Sequence, residues 1–551
     1  MRFPLKAFGG MQPRVEPHLL PDTAAQHALN ARLWSGKIGA FRQPQLVTAL
    51  GKLGTKRAIY RFGKGLDDDA RFWFHWLNDT DVARGPIVDD TQERTYFTEA
   101  GKPPMVTDAT MATGDANMPT IAYRLGVPAP TARATLTVTQ AAGNSDREDA
   151  QACLLAYTFV TGWDEEGPPN AVSDPVNLMS GDTLNVFNME GPPAGAYNVT
   201  RKRLYLSVTD ATGTAVLRYW AEVPAGAVTY RGVVDTTMLG EALPDAALIP
   251  PPENLFGLMS HPAGFMVGFS GKRVYRSEVF KPYGWPHFSP VADDIVGGAI
   301  LGQGTVICTK GLTYFATQSD PQTFVPVQLD GWQPCVSKRS IQALAGGVAY
   351  ASPDGLVMVS PTGVMSVVTE GLMTRDEWQA YKPESMHAAA HDGRYFCWYD
   401  TGAKRGGLIL NLAAGTLELV ETDVYATAAY ADGRRDELFI VQADGNLYKW
   451  DAGAQPLAMS WRSKRFILER AQNVGAAMVV ADAYPVPFRL TCTIETDAGP
   501  QTLQIDRTAV NGRPFRLLGN YRAREFEFTV TGPNAVREVT LASTLANVTA
   551  E

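Results

Sequence analysis

The chain has 551 residues, of which 45% are hydrophobic and 19% charged, and its formal net charge is -8. That length predicts about two to four domains, and the composition excludes disordered and fibrous classes. The negative balance argues against a general duplex-DNA binder, which presents a basic face.

Residues 1–57 read as an N-terminal arm that lacks the apolar core of a signal peptide. Within it, Asp22 is placed to cap a short helix containing Thr23 to Leu33, and Gly36, Gly39 and Pro44 then break any long element. Over 58–120, AIYRFGKG and RFWFHWLND predict strands joined by a loop containing Asp67, Asp68 and Asp69. Trp73 and Trp76, beside Phe72 and Phe74, read as packing anchors. Residues 121–250 carry alternating strands such as ARATLTVTQ and RKRLYLSVTD, enough for one small inserted β-sandwich.

From 251 to 457 the rhythm changes to units of about 40–50 residues, each with short strands and Gly-containing turns, as in a β-propeller. The segment CVSKRSIQALAGGVAYASPDGLVMV is one such unit. Asp354-Gly355, Asp392-Gly393, Asp432-Gly433 and Asp444-Gly445 fall where tight hairpins should turn. On this reading 58–120 supplies the first blades and 251–457 the remaining ones, with 458–551 a C-terminal β-domain. The fold class is therefore all-β, with few helices. No stretch approaches ~18 apolar residues, so no transmembrane segment is expected.

The search for chemistry yields little. Asp67/Asp68/Asp69, Asp164/Glu165/Glu166 and Asp293/Asp294 are the acidic runs that glycoside hydrolysis would draw on, and the first two read as solvated loops. His18, His27, His75, His261, His287, His387 and His391 form no HExxH pattern, and HAAAH at 387–391 runs into a turn and strand. Asp444 and Asn446 favour a hairpin over a calcium loop. Cys153, Cys308, Cys335, Cys397 and Cys492 are widely spaced and read as reduced, buried side chains. Arg201-Lys202-Arg203 and the run Arg462, Lys464, Arg465 read as partly exposed strands. The reading is of a protein without catalytic, cofactor-binding or metal-binding residues: not an enzyme, with no cofactor.

Several stretches together resemble the tail nozzle, or tail tubular, structural proteins of short-tailed bacteriophages. They are GGMQPRVEPHLLPDTAAQHALNARLWSGKIGAFRQPQLV, YTFVTGWDEEGPPNAVSDP, FSGKRVYRSEVFKPYGWP, TRDEWQAYKPESMHAAAHDGRYFCWYD and MSWRSKRF with FRLLGNYRAREFEFTVTG. The resemblance implies a β-propeller with an inserted fibronectin-type β-sandwich and a C-terminal β-region. It implies a virion protein at the distal end of a short tail, assembled in the host cytoplasm as a homohexameric ring and open to passing viral DNA without sequence-specific binding. Its expected neighbours are a tail adaptor protein and tail fibres, and its expected role is conduit and gate for genome ejection. Segments 60–70 and 161–175 are the expected gate loops, and the strand near Trp461 and the inserted sandwich the expected interfaces. The competing readings are a hub or adaptor ring nearer the head, and a β-propeller that binds or hydrolyses host glycans. For glycan binding, Trp163, Trp285 and Trp332 are the aromatic candidates.

Overall fold

The computed structural model describes residues 2–63, 68–209, 215–244, 248–412, 418–496 and 499–549. It is all-β, built from many small antiparallel sheets, with only brief helical turns such as Arg375–Gln379. Among the described residues no helix is long and apolar enough to cross a membrane. The chain divides into two compact units: 1–77 with 296–315 and 327–551, and 78–295 with 316–326.

In the first unit, sheet follows sheet along the sequence. Gln342–Leu344, Gly347–Ser352, Gly355–Val359 and Met365–Val367 form one four-stranded meander. His387–His391, Arg394–Asp400, Arg405–Asn411 and Glu418–Thr422 form the next four strands in order. Ala428–Asp432, Glu437–Val441 and Asn446–Lys449 follow, and the N-terminal strand Gln45–Ala49 completes their sheet. Ala58–Arg61 pairs with Trp73–Trp76. The first strands of these sheets touch in series: Gln342–Leu344 with His387–His391, that with Ala428–Asp432, and that with Ala58–Arg61.

The middle strands are uniformly apolar because they are covered on both faces. Val348 to Ala351, Phe396 to Tyr399 and Leu438 to Val441 are all buried, each large side chain contributing about 1.5–3 kcal/mol relative to exposure. Tight turns permit the sheets. At Asp392 and Gly393 φ is +49° and +67°, the left-handed pair of a two-residue hairpin between His391 and Arg394. The other Asp-Gly pairs behave differently. At 354–355 the loop is Pro353-Asp354, and Gly355 already pairs with Ser352. Asp432 pairs with Glu437 across a four-residue loop.

The segment expected to be a helix from Thr23 is instead the strand Ala25–Leu29. It lies between Met459–Ser463, antiparallel, and Glu418–Thr422, parallel. Tertiary pairing overrides the helical propensity of Ala, Gln and Leu here. Arg2–Leu5 likewise pairs with Val536–Ala542, near the far end of the sequence. Three N-terminal strands are thus stitched into sheets formed by residues 387–542.

In the second unit, Thr80–Arg84, Thr95–Glu99, Met105–Thr107 and Tyr123–Arg124 form one four-stranded sheet. Phe256–Ser260, Met266–Ser270, Arg273–Arg276 and His287–Pro290 form another. Between them in sequence, two three-stranded sheets share one core. Thr135–Thr139, Thr183–Phe187 and Tyr230–Val233 make one, and Leu155–Thr161, Val199–Thr209 and Ala215–Pro224 the other. Leu155, Tyr157, Leu184, Val186, Leu204 and Leu206 fill the space they enclose. All five cysteines are buried and free.

Candidate functional site

The acidic run at 164–166 is a solvated loop only at Asp164, whose side chain is exposed. After Leu155–Thr161 the chain turns at Asp164, with φ +61°, and doubles back along its own strand. Thr161 N–H donates to the Glu165 carbonyl (2.9 Å), Gly167 N–H to Phe159 (3.0 Å), Asn170 N–H to Tyr157 (3.1 Å) and Ser173 N–H to Leu155 (2.9 Å). Glu165 and Glu166 are therefore buried, at 3% and 6% exposure. Within 161–175, expected to be a gate loop, the backbone is held at Thr161, Glu165, Gly167, Asn170 and Ser173 by these bonds.

Burial requires partners, and the neighbouring strand supplies them. Arg203 stands opposite Thr158, and Arg201 opposite Val160. Glu166 accepts from Thr158 Oγ1 (2.6 Å), Tyr205 Oη (2.6 Å) and Arg203 Nη1 (2.8 Å). Arg201 bonds Asp164 (2.5 Å) and Glu222 (3.2 Å). Glu165 accepts from Arg94 Nη1 (2.8 Å), whose Nε holds Asp90 (2.8 Å). Burial pushes the Glu165 carboxyl up to about 7 despite Arg94. Lys202, between the two arginines, points inward instead. Its Nζ donates to the Ala227 carbonyl (2.7 Å) over the Tyr157 ring, and burial lowers its pKa to about 8.

Beside this network lies a cavity of about 450 Å³ lined in part by Glu166, Arg203, Tyr219, Glu222 and Glu241. Glu166 already serves three donors in the cavity wall. A glycosidase presents two carboxyls to its substrate, whereas this pair is cross-linked by one arginine.

The other acidic runs are anchored too. Asp69 meets Arg435 (2.8 Å), Lys449 (3.1 Å) and the buried Arg61 (3.3 Å), and Asp68 pairs with Arg71 (2.9 Å). Asp67 lies outside the described residues. Asp293 and Asp294 sit in a turn before Ile295–Leu301. Asp444 accepts from Asn446 (2.8 Å) and Tyr448 (2.6 Å), holding a turn. No group of three or more His, Cys, Asp or Glu capable of holding a metal occurs among the described residues. Trp73, Phe74 and Trp76 are buried anchors. Of the aromatic candidates, Trp285 is buried, Trp163 is half-buried with Nε1 on Asp108 (3.0 Å), and Trp332 is 65% exposed. In the run after Trp461, which is itself buried, Lys464 pairs with Asp22 (3.0 Å) and Arg465 with Glu527 (3.7 Å).

A second cavity, of about 330 Å³, lies in the first unit and was not expected from the sequence. It forms where the N-terminal ends of the four adjacent first strands converge. Arg339 sits in the turn Lys338–Ser340 before Gln342–Leu344, and His387 opens His387–His391. Thr427 directly precedes Ala428–Asp432, and Arg57 directly precedes Ala58–Arg61. Asp400, Glu384 and Tyr425 complete the polar wall. His387 and His391 share one strand and one of its faces with Ala389 between them, about 13 Å apart, too far to grip one metal.

His387 is 7% exposed and stacks on Trp398 with ring centroids 5.5 Å apart. It donates to the Ala426 carbonyl, while its Nε2 has no hydrogen-bond partner. Burial, then the Arg339 charge, pushes its pKa down to about 3, with Arg57 adding to the effect. The ring is therefore neutral and Nε2 is an acceptor. A buried acceptor left unpaired costs about 1–3 kcal/mol.

No protein-family profile matches the chain, and no curated protein matches it. Among solved structures, BamB from Moraxella catarrhalis is 13% identical, with 70% of this chain and 87% of that one covered and a TM-score of 0.29. BBS1N in complex with ARL6DN is 12% identical, covering 46% and 88%, at 0.25. The Cps50 (Swd1) β-propeller domain of Myceliophteria thermophila is 11% identical, covering 47% and 90%, at 0.23. Likenesses at this level transfer neither a fold nor a function.

Proposed function

We propose that this chain is a virion structural protein forming the distal ring, or nozzle, of a short phage tail, and that it conducts the genome during ejection. The resemblance of its sequence to tail tubular proteins supports the reading. So does the run of short meanders with touching first strands, which fits the blades of a β-propeller. The two three-stranded sheets of 121–250 fit an inserted fibronectin-type sandwich.

The observation that carries the proposal is the stitching of the chain's two ends. Arg2–Leu5, Ala25–Leu29 and Gln45–Ala49 are inner or edge strands of sheets made by residues 387–542. Such a body cannot be peeled open from its N-terminus without breaking paired strands, a property suited to a ring through which DNA is forced. In a closed ring of copies, acidic groups facing the lumen would keep phosphates from sticking. The partners on this reading are further copies of the chain, six by resemblance, a tail adaptor and fibres.

Electron microscopy of intact particles with the chain assigned tests this directly. Copies bordering the DNA path at the distal end are the expected result; a position next to the head makes it a hub instead. Finding every copy on the outside of the particle overturns the conduit role. A second reading, recognition of host glycan, has one feature in its favour, the polar cavity at the converging strand ends.

A further inference from the structure

The segment 507–524, RTAVNGRPFRLLGNYRAR, carries five arginines and no acid. Arg507, Arg513, Arg516, Arg522 and Arg524 are all exposed, and none forms an ion pair among the described residues. The acids at its two ends are occupied, Asp506 by Arg489 (2.6 Å) and Glu525 by Arg465 (3.9 Å). From Arg516 to Arg524 the chain runs beside residues 468–476. Arg516 pairs with Ala476, Leu517 N–H donates to the Gly475 carbonyl (2.9 Å), Asn473 Nδ2 to Gly519 (3.2 Å) and Arg524 Nε to Leu468 (3.2 Å). Arg507 joins the strip through Nε on the Arg516 carbonyl (3.2 Å). The neighbouring 468–476 adds one charge of each sign, Glu469 and Arg470.

An unpaired basic strip calls for an acidic partner, and the chain carries one. Residues 121–250 hold 14 Asp and Glu against 8 Lys and Arg, whereas 458–551 hold 9 against 11. Asp146, Glu148, Asp149 and Asp235 are exposed and form no ion pair among the described residues. They flank the turn at 180–181: Arg147 is drawn onto the Asn177 carbonyl (2.7 Å) and the buried Asp182 (2.6 Å), and Ser180 Oγ donates to Asp235 (3.4 Å). Each surface also exposes apolar side chains, Val510 and Leu518 on the basic one, Val233 and Met238 on the acidic one. Charge mixed with exposed apolar groups suits a protein interface. Nucleic acid would use the charge alone, and the rings within the strip, Phe515 and Tyr521, pack into the core rather than standing free to stack on bases.

We infer that the arginine strip 507–524 of one copy docks on the acidic surface around Asp146, Glu148, Asp149 and Asp235 of the next. The guanidinium groups there gain the carboxylate partners that they lack within one chain. The two patches differ, so the contact is heterologous and each copy offers one patch to each neighbour, the geometry from which closed rings are built. This inference rests on the ring reading and names the surfaces that join its copies.

The test is sedimentation of the full chain, alone and with duplex DNA. Association at about 50 mM salt that fades at about 500 mM is expected, because exposed charges are screened. Arg513→Glu with Arg516→Glu and Arg522→Glu should weaken it at least about 100-fold, and so should Glu148→Lys with Asp149→Lys. An equimolar mixture of the two variants should regain association, since each reversed patch then meets its complement, a rescue that misfolded variants would not show. Association that both variants retain overturns this contact while ring assembly through other surfaces stands. Loss in each variant without rescue in the mixture also overturns it. A parent that stays monomeric at both salt concentrations overturns this contact and unaided ring assembly together. A monomeric parent that sediments with DNA, and ceases to on arginine reversal, replaces the proposal by a polyanion surface.

Discussion

The acidic network around Arg94 and Arg203 and the mixed-charge cavity around His387 use the same residue types to different ends. In the first, each buried carboxylate meets a cation or hydroxyl: Glu165 has Arg94, and Glu166 has Arg203, Tyr205 and Thr158. In the second, a buried nitrogen has no partner, and two arginines stand near it. A satisfied network holds structure and has little left to offer a ligand; an unpaired buried nitrogen costs stability. The conspicuous acids of the sequence therefore belong to structure, and an inconspicuous alanine-rich strand holds the unpaired nitrogen.

The largest effect that sharpens this contrast is expected from Arg94→Met. It leaves Glu165 and Asp90 without their shared cation and should lower the stability of the second unit by about 3–5 kcal/mol. Denaturant unfolding followed by hydrogen exchange on Leu155–Thr161 measures it, and a loss below about 1 kcal/mol would break the comparison.

The pH response comes next. The folded pKa of Glu165 lies above its unfolded value, about 7 against 4.5, so its contribution is full below pH 4.5 and is lost as pH rises through 7. The folded pKa of His387 lies below its unfolded value, about 3 against 6.5, so the unfolded chain takes up the proton first and stability falls as pH drops from 6.5 towards 3. His75, lowered by burial to about 4, acts in the same direction in the same unit. Acidification from neutral to about pH 4.5 should thus strengthen the surroundings of Glu165 and weaken those of His387, each on the order of 2–3 kcal/mol. Hydrogen exchange at the two pH values resolves the units, and Glu165→Gln and His387→Phe should each flatten only its own slope.

A smaller effect is expected from His387→Phe at pH 8. Replacing an unsatisfied acceptor by an apolar ring should leave stability within about 1 kcal/mol of the parent, or raise it. A loss like that of Arg94→Met would show that Nε2 has a structural role after all. The smallest concerns the exposed pair Arg489–Asp506, 2.6 Å apart on facing strands. Arg489→Ala should leave the unfolding midpoint where it is, because solvent screens such pairs.

Much of the β character was legible locally. Asp392-Gly393 announces a two-residue turn because glycine and aspartate tolerate positive φ, and the apolar runs VAYA and LVMV announce strands covered on both faces. Other features had no local signal. Ala25–Leu29 contains no β-branched residue, and it becomes a strand because partners from residues 421 and 459–463 enclose it. WDEEGPPN carries true turn residues, but nothing in it shows that the chain folds back and buries Glu165 and Glu166. The His387 cavity draws on Arg57, Arg339, His387 and Tyr425, which are far apart in sequence and share no motif.

By itself the sequence determined the alphabet of this protein: short strands, tight turns, buried thiols and a negative surface. These follow from side-chain periodicity and backbone preference, which act over a few residues. Only the tertiary structure decided which charges are paired, which strand joins which sheet, and which nitrogen is buried without a partner. Those outcomes depend on neighbours hundreds of positions away, and desolvation assigns their energies only once the chain has closed around them.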